Sequence, residues 1–218
     1  MSASRSVYHR RELEAIAARW DARAAGWDEA LQDPQCHLNA DNAYLHFVEV
    51  AQQAIGHRRA FCRAHGVIDA GCGTGLVLGQ VVQHFAWGIG VDISPRMVQA
   101  ARDKRIPNAR FIVGDCFQLV RLCPQAGAIL SRGVLLSHYG PEQGEVFLAS
   151  ARPALVTGGF IMCDFLNESA QSHSRHEPEG KTLYNKRSAL RVASRAGFSN
   201  AEVVGEPSER ALILLLQC

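Results

Sequence analysis

A glycine-rich turn directly after a short apolar run is the part of the chain best suited to holding a ligand. The run Val67-Ile68-Asp69-Ala70 ends in an acidic and a small residue, and Gly71-Cys72-Gly73-Thr74-Gly75 follows it. A helical pattern over residues 76–85 begins at once. Glycines let backbone N–H groups approach a ligand, and a helix N-terminus offers further N–H donors. The segment therefore predicts a strand, a tight turn and a helix start that line a ligand site.

The spacing of these glycines excludes two common nucleotide sites. A nicotinamide or flavin site has the pattern G-x-G-x-x-G, but the sixth position counted from Gly71 is Leu76. A phosphate-binding loop ends in Lys followed by Ser or Thr, and neither residue follows Gly75. The turn therefore belongs to another class of ligand.

Two more carboxylates follow the next two predicted strands. Asp92 ends the second strand, and Asp115 follows the third. A carboxylate after the second strand can accept hydrogen bonds from both ribose hydroxyls, and one after the third can accept from the exocyclic amine of adenine. Ile93 and Phe117 can enclose the purine ring. Because these acids repel a pyrophosphate but suit a cationic sulfonium, the set predicts an adenosyl ligand without phosphates. Alternatively, an aspartate at the end of a strand has no ligand and is simply a helix cap or a turn former.

Hydrophobic periodicity supplies the elements that position these residues. Helices are predicted at 12–30 and 42–62 in the N-terminal part, and then strands alternate with helices. The predicted strands are 67–70, 87–92, 110–113, 126–131, 160–165, 201–204 and 210–216. The predicted helices between them are 76–85, 95–104, 141–154 and 188–196. This alternation favours a mostly parallel sheet covered on both faces, and the short link 205–209 makes the last two strands an antiparallel hairpin.

Composition and charge narrow the function classes. The chain has 218 residues, 47% of them hydrophobic, with a net charge of +2, so a packed core is expected and a nucleic-acid surface is not. No secretory signal is expected, and no uninterrupted apolar stretch is long enough to cross a bilayer. The seven cysteines are odd in number and scattered, which favours free thiols in a reducing cytoplasm.

Four segments together resemble the class I S-adenosylmethionine-dependent methyltransferases. They are the glycine segment, Asp92, Gly114-Asp115 and Ile129-Leu130-Ser131-Arg132-Gly133, in the order and spacing of that family. The resemblance covers residues 67–216. It implies a Rossmann-like, doubly wound α/β sheet of seven strands in the order 3-2-1-4-5-7-6, with the last strand antiparallel. Residues 63–218 would form this domain, and residues 1–62 an N-terminal helical cap.

The resemblance also implies a cofactor and the residues that bind it. The cofactor is S-adenosylmethionine (SAM), and the product formed from it is S-adenosylhomocysteine (SAH). The methionine part of SAM is assigned to Asp69, Gly71, Cys72, Gly73, Thr74 and Gly75. The ribose is assigned to Asp92, the adenine to Asp115 and Cys116, and the cofactor's other side to the segment 131–134, which includes Ser131 and Arg132. Trp27-Asp28 takes the position of the family's aromatic-Asp pair that closes over the cofactor. Arg23 can reach the methionine carboxylate or lie exposed at the surface.

The sequence gives less specific evidence for the residues that would bind the methyl acceptor. His138 follows the fourth strand near the expected point of transfer, where it can serve as a general base or be merely structural. Further candidates for the acceptor pocket are His37, Tyr44, Tyr139 and Tyr184. The segment 36–44 can equally cap the second helix. The spacing His173-x-x-His176-Glu177 lies in a polar loop without a helical pattern, and no metal site is expected.

The sequence thus predicts methyl transfer to nitrogen, oxygen or sulfur of a small molecule by in-line displacement. Two alternatives are a non-catalytic SAM-binding regulatory module and a methyltransferase acting on a protein or RNA. The second alternative would require a basic groove or a recognition domain, and neither is evident. The chain is expected to be a monomer or a homodimer.

Overall fold

The computed structural model describes residues 10–33, 43–133, 138–170 and 181–218. Its strands are β1 Val67–Ala70, β2 Gly88–Asp92, β3 Ala109–Val113, β4 Ala126–Ser131, β5 Leu155–Asn167, β6 Leu183–Tyr184, β7 Asn200–Val204 and β8 Ala211–Gln217. Its α-helices are α1 Arg10–Asp21, α2 Trp27–Gln32, α3 Ala43–His57, α4 Arg59–Ala64, α5 Leu76–Val81, α6 Pro95–Asp103, α7 Leu119–Leu122, α8 Pro141–Ala151 and α9 Lys186–Arg195.

The strands form one sheet in the order β3-β2-β1-β4-β5-β8-β7. Strands β1 to β5 are parallel, whereas β8 runs antiparallel to both β5 and β7. The predicted order and the antiparallel last strand are therefore confirmed. The strand numbers shift by one because the two-residue strand β6 pairs with the end of β5 and was not predicted.

Alternate residues of the strands pack into two apolar cores, one on each face of the sheet. On one face, Ile68 and Ile129 pack with Phe147 of α8 and Val192 of α9. On the other face, Val67 and Leu130 belong to a cluster that includes Phe47, Ala51 and Ile55 of α3 and Leu78 and Val81 of α5. Burial on both faces explains why β1 and β4 are apolar runs rather than alternating patterns.

Both long N-terminal helices predicted from periodicity are wrong in their extent, because each is two helices. Helix α1 ends at Asp21, and α2 begins after Gly26, whose φ of 73° is a left-handed conformation that no α-helix accommodates. Helices α3 and α4 meet at Arg58, which has a non-helical backbone and donates a hydrogen bond from its guanidinium to the Gly158 carbonyl at 3.0 Å. No helix within the described ranges is long and apolar enough to span a membrane.

Candidate active site

One cavity opens at the carboxyl ends of β1, β2, β4 and β5. In an open α/β sheet these ends meet at the point where strand order reverses, here between β1 and β4. The predicted residues that line it are Arg23, Trp27, Asp69, Gly71, Cys72, Gly73, Asp92, Ile93, Asp115, Cys116, Phe117, Arg132, Gly133, His138 and Tyr139. Leu13, Ile16, Trp20 and Leu31 of the first two helices cover the cavity.

The glycine turn takes its shape from three residues with positive φ. Gly71, Gly73 and Gly75 have φ values of 77°, 51° and 79°, a region that side chains other than glycine rarely adopt. A Cβ on Gly75 would lie 2.8 Å from the ring of Phe111, and one on Gly73 would lie 3.4 Å from the indole nitrogen of Trp27. The turn therefore needs glycine both for its backbone and for the close approach of neighbouring side chains.

Asp92 joins the glycine turn to the end of β2. One carboxylate oxygen accepts a hydrogen bond from the Gly73 N–H at 2.8 Å, and the other accepts from the Ser94 N–H at 2.9 Å. Asp92 is only 8% exposed, and burial raises its pKa above the usual value although these backbone bonds oppose the rise. The carboxylate thus fixes the turn while it lines the cavity.

Asp69 is the most deeply buried acid of the cavity wall. Its side chain is 1% exposed, and its Oδ2 atom has no hydrogen-bond partner among the described residues. Burial, with a smaller contribution from Asp92, raises the pKa of Asp69 to about 7. A buried acceptor of this kind suits a ligand that brings a positive charge or an N–H donor.

The third acid, Asp115, begins the wall formed after β3. Its carboxylate accepts a hydrogen bond from the Phe117 N–H at 2.9 Å, so it also acts as the turn former that the sequence allowed. Phe117 is 3% exposed and meets Tyr139 edge to face at a centroid distance of 5.5 Å. Ile93 and Phe117 both line the cavity, which is compatible with a purine between them.

Two aspartates fasten the N-terminal helices to the cavity loops. At the end of α1, Asp21 accepts hydrogen bonds from the Ser94 hydroxyl and the Arg96 N–H at 2.5 and 2.9 Å. In α2, Asp28 accepts from the Thr74 hydroxyl and forms an ion pair with Lys104. The neighbouring Trp27 consequently lies over the glycine turn, where it faces the cavity.

The far end of the cavity contains a buried ion pair that sequence reasoning missed. Asp164 of β5 lies 3.8 Å from the Arg132 guanidinium and accepts a hydrogen bond from the Gly133 N–H. Arg132 also lies over the Tyr44 ring, with 5.9 Å from its guanidinium carbon to the centroid. Burial raises the pKa of Asp164, and the guanidinium opposes that rise. A carboxylate inside the apolar run 160–166 was the available signal, because buried acids need partners.

His138 lines the cavity and packs edge to face on Trp20 at a centroid distance of 5.3 Å. Burial lowers the pKa of His138 to about 4, and the positive charges of Lys181, Arg19 and Arg23 add to this effect. The imidazole is therefore neutral at pH 7 and has an unprotonated ring nitrogen, although the lowered pKa makes it a weaker base than an ordinary histidine.

Several predicted residues lie outside the cavity lining. Thr74 and Gly75 shape the turn from behind, and Ser131 ends β4 with its hydroxyl buried and without a hydrogen-bond partner in the described residues. Tyr44 lies beneath Arg132, and Tyr184 is 1% exposed in the core beside Phe165. His37 lies outside the described residues, as do His173 and His176. The lining residues that were not predicted include Asp164, Leu166, Lys181, Arg210 and Ala211.

Comparison with known proteins agrees with this geometry. Residues 67–159 match the family model described as a methyltransferase domain. A segment of 53 residues is 43% identical to magnesium-protoporphyrin O-methyltransferase of Rhodobacter capsulatus; it spans 22% of this chain and only 24% of that protein.

Solved structures extend the likeness to nearly the whole chain. The magnesium protoporphyrin IX methyltransferase of Synechocystis PCC 6803 with bound SAM is 16% identical, with a TM-score of 0.70, covering 98% of this chain and 99% of that one. The DhpI-SAM-HEP complex is 18% identical, also with a TM-score of 0.70, covering 96% and 99%. At such identities the likeness is one of fold. Taken with the matched domain, it gives the chain the fold of the class I SAM-dependent methyltransferases, with a methyltransferase domain over residues 67–159.

Proposed function

We propose that this protein transfers the methyl group of SAM to nitrogen, oxygen or sulfur of a small-molecule acceptor. The observation that carries the proposal is the cavity itself, in which three carboxylates lie at one end and Arg132, His138 and Asp164 at the other. A cofactor and a small acceptor can therefore meet in one enclosed space.

The residues at the acidic end fit SAM. Asp69 offers a buried carboxylate oxygen without a hydrogen-bond partner in the described residues, which suits the positively charged part of the cofactor. Asp92 stands where the ribose hydroxyls would bind, and Asp115 with Phe117 where adenine would bind. Gly71 and Gly73 line the cavity beside Trp27, where the methionine part of the cofactor would lie.

SAM supplies a methyl group that is already activated by its positively charged sulfur. The protein's contribution is then to orient the two reactants and to exclude water. The apolar side chains of Leu13, Ile16, Trp20 and Leu31 serve the second purpose, because they cover the cavity from the side of α1 and α2.

His138 is our candidate for a general base. Its neutral imidazole can take a proton from an acceptor that enters protonated, whereas an acceptor that enters ionised needs no base. Replacement His138→Gln separates the two cases. With a protonated acceptor kcat falls by about 100-fold, and with an ionised acceptor it changes little.

Binding and turnover test the proposal together. We expect isothermal titration with SAH to show micromolar binding that Asp92→Ala weakens at least tenfold, equivalent to about 1.4 kcal/mol. Asp103→Ala serves as the control, because this exposed carboxylate lies on α6 and bonds only with Gln99 among the contacts described. Unchanged SAH affinity in Asp92→Ala contradicts the cofactor site.

Transfer of labelled methyl from SAM to a panel of small amines, alcohols, thiols and acids tests catalysis. Label in a small molecule supports the proposal. SAH binding without transfer to any acceptor would favour a regulatory module instead, and label in protein or RNA would favour a macromolecular acceptor. We further propose a reducing, cytoplasmic setting, which is supported by the six cysteines of the described residues, all of them free thiols.

A further inference from the structure

The cavity is divided by charge. Of its described lining residues, the acids Asp69, Asp92 and Asp115 lie at the cofactor end. The opposite end, formed at β4, β5, β6 and β8, has three basic residues, Arg132, Lys181 and Arg210, and one acid, Asp164. A cofactor and an acceptor that match this pattern carry positive charge at the cofactor end and negative charge at the opposite end.

The fold brings Lys181 and Arg210 together beside the end of β5. Lys181 lies two residues before β6, whose Leu183 pairs with Leu166 of β5. Arg210 precedes β8, and its carbonyl accepts a hydrogen bond from the Asn167 N–H at 2.8 Å. Both basic residues therefore lie near the carboxyl end of β5. Asp164 is close to the same end, because it comes two residues before Leu166 in that strand.

The basic groups at this end act on one another. Burial lowers the pKa of Lys181, and the nearby charge of Arg210 lowers it further; Arg23 and Arg132 act in the same direction, and only Asp164 opposes them. Asp164 is already engaged by Arg132 and the Gly133 N–H. Lys181 thus lies among like charges in a partly buried part of the cavity, a placement that costs free energy and that a bound anion offsets.

We propose that the methyl acceptor is an organic acid, whose carboxylate or other oxyanion is held by Lys181 and Arg210. The adjacent lining residues Leu166 and Ala211 are apolar and can contact the acid's hydrocarbon part. A guanidinium beside an ammonium suits an oxyanion, because the first offers a planar pair of donors and the second a compact charge. This inference rests on the proposed function, since it names the acceptor class for the same cavity.

The test uses the full chain saturated with SAH and four small probes of similar shape. They are phenylacetate, phenylphosphonate, phenylacetamide and phenethylamine, and their affinities are measured by ligand-observed NMR. We expect both anions to bind about tenfold tighter than the amide and the amine, and to weaken as salt is raised. The tighter of the two anions identifies the source of the oxyanion as a carboxylate or a phosphonate.

Matched variants locate the binding groups. Lys181→Gln and Arg210→Gln should each weaken phenylacetate binding at least fivefold, whereas Lys181→Arg should retain most of it. Arg187→Gln is the control, because it removes the same charge from the exposed side of α9. Thermal melting and SAH titration on each variant verify that the fold and the cofactor end are intact.

The inference is overturned if the amide or amine binds as well as the anions, if no probe binds, or if both charge-removing variants keep full affinity for phenylacetate. The proposed function fails by a separate result, namely that the wild-type protein does not bind SAH. A protein that binds SAH normally but shows no preference for anions refutes only the acceptor class.

Discussion

Asp69 is a residue through which the cavity responds to pH near neutrality. Its pKa is about 7 in the folded protein against 3.8 for an ordinary aspartate, so the folded state favours the protonated form. The corresponding stability is fully present below pH 3.8 and is lost as the pH rises through 7. A bound cation favours the ionised form instead. Binding of SAM should therefore release a proton near pH 7, and its affinity should fall about tenfold from pH 8 to pH 6.

Asp69→Asn tests this assignment, because it keeps the shape of the side chain and removes the titration. We expect SAM affinity in this variant to be nearly constant between pH 6 and pH 8, as measured by isothermal titration in buffers of different ionisation enthalpy. A wild-type affinity that does not change over this range would show that Asp69 is not coupled to the cofactor.

Two glycines offer a matched test of backbone strain at the turn. Gly75→Ala places a side chain on a residue with φ of 79° and 2.8 Å from Phe111, so both the backbone and the core resist it. We expect a loss of at least about 2 kcal/mol in the free energy of unfolding. Gly56→Ala lies in α3 with nothing within 4 Å, and should stabilise the protein by about 0.5–1 kcal/mol. Urea unfolding measures both, and equal effects would contradict the strain argument.

At the scale of elements, helix α2 is held over the turn chiefly by Asp28. Its carboxylate accepts from Thr74 and pairs with Lys104, whose ammonium also donates to the Thr74 carbonyl at 2.8 Å. Asp28→Asn should release α2, weaken SAH binding about three- to tenfold and speed amide exchange over residues 27–32. Glu29→Gln, one residue on and exposed, is the control. Identical exchange in the two variants would show that Asp28 does not hold the helix.

The elements also show what a sequence can and cannot reveal. Strands β1 and β4 were predicted to the residue, because each is a short apolar run bounded by polar or glycine residues. The breaks at Gly26 and Arg58 were missed, since the hydrophobic period continues through both. Lys181 and Arg210 reach the cavity only through the pairing of β6 and β8 with β5, and such pairing between distant segments leaves no local pattern.

On the scale of the whole molecule, the helices before the sheet differ in how firmly they are packed. Helix α3 buries Tyr44, Phe47, Val48, Val50, Ala51 and Ile55 in the core that includes β1 and β4. In α1 and α2, by contrast, Leu31 is the one buried residue of those described, and the large apolar side chains of Leu13, Ile16, Trp20 and Trp27 are partly exposed and line the cavity. A ligand that fills the cavity therefore supplies much of the surface against which these two helices pack.

The rate of amide hydrogen exchange should consequently differ between α1 and α2 on the one hand and α3 on the other. We expect amides at residues 10–32 to exchange by local opening well before those of α3, because few buried contacts oppose the opening of α1 and α2. SAH should slow exchange at 10–32 and leave the central strands unchanged, since it binds only the closed arrangement. If residues 43–62 open together with 10–32, the helical cap extends to residue 62, as predicted from the sequence. If they exchange with the sheet, the movable part is confined to α1 and α2, and α3 is part of the scaffold on which the cofactor end is built.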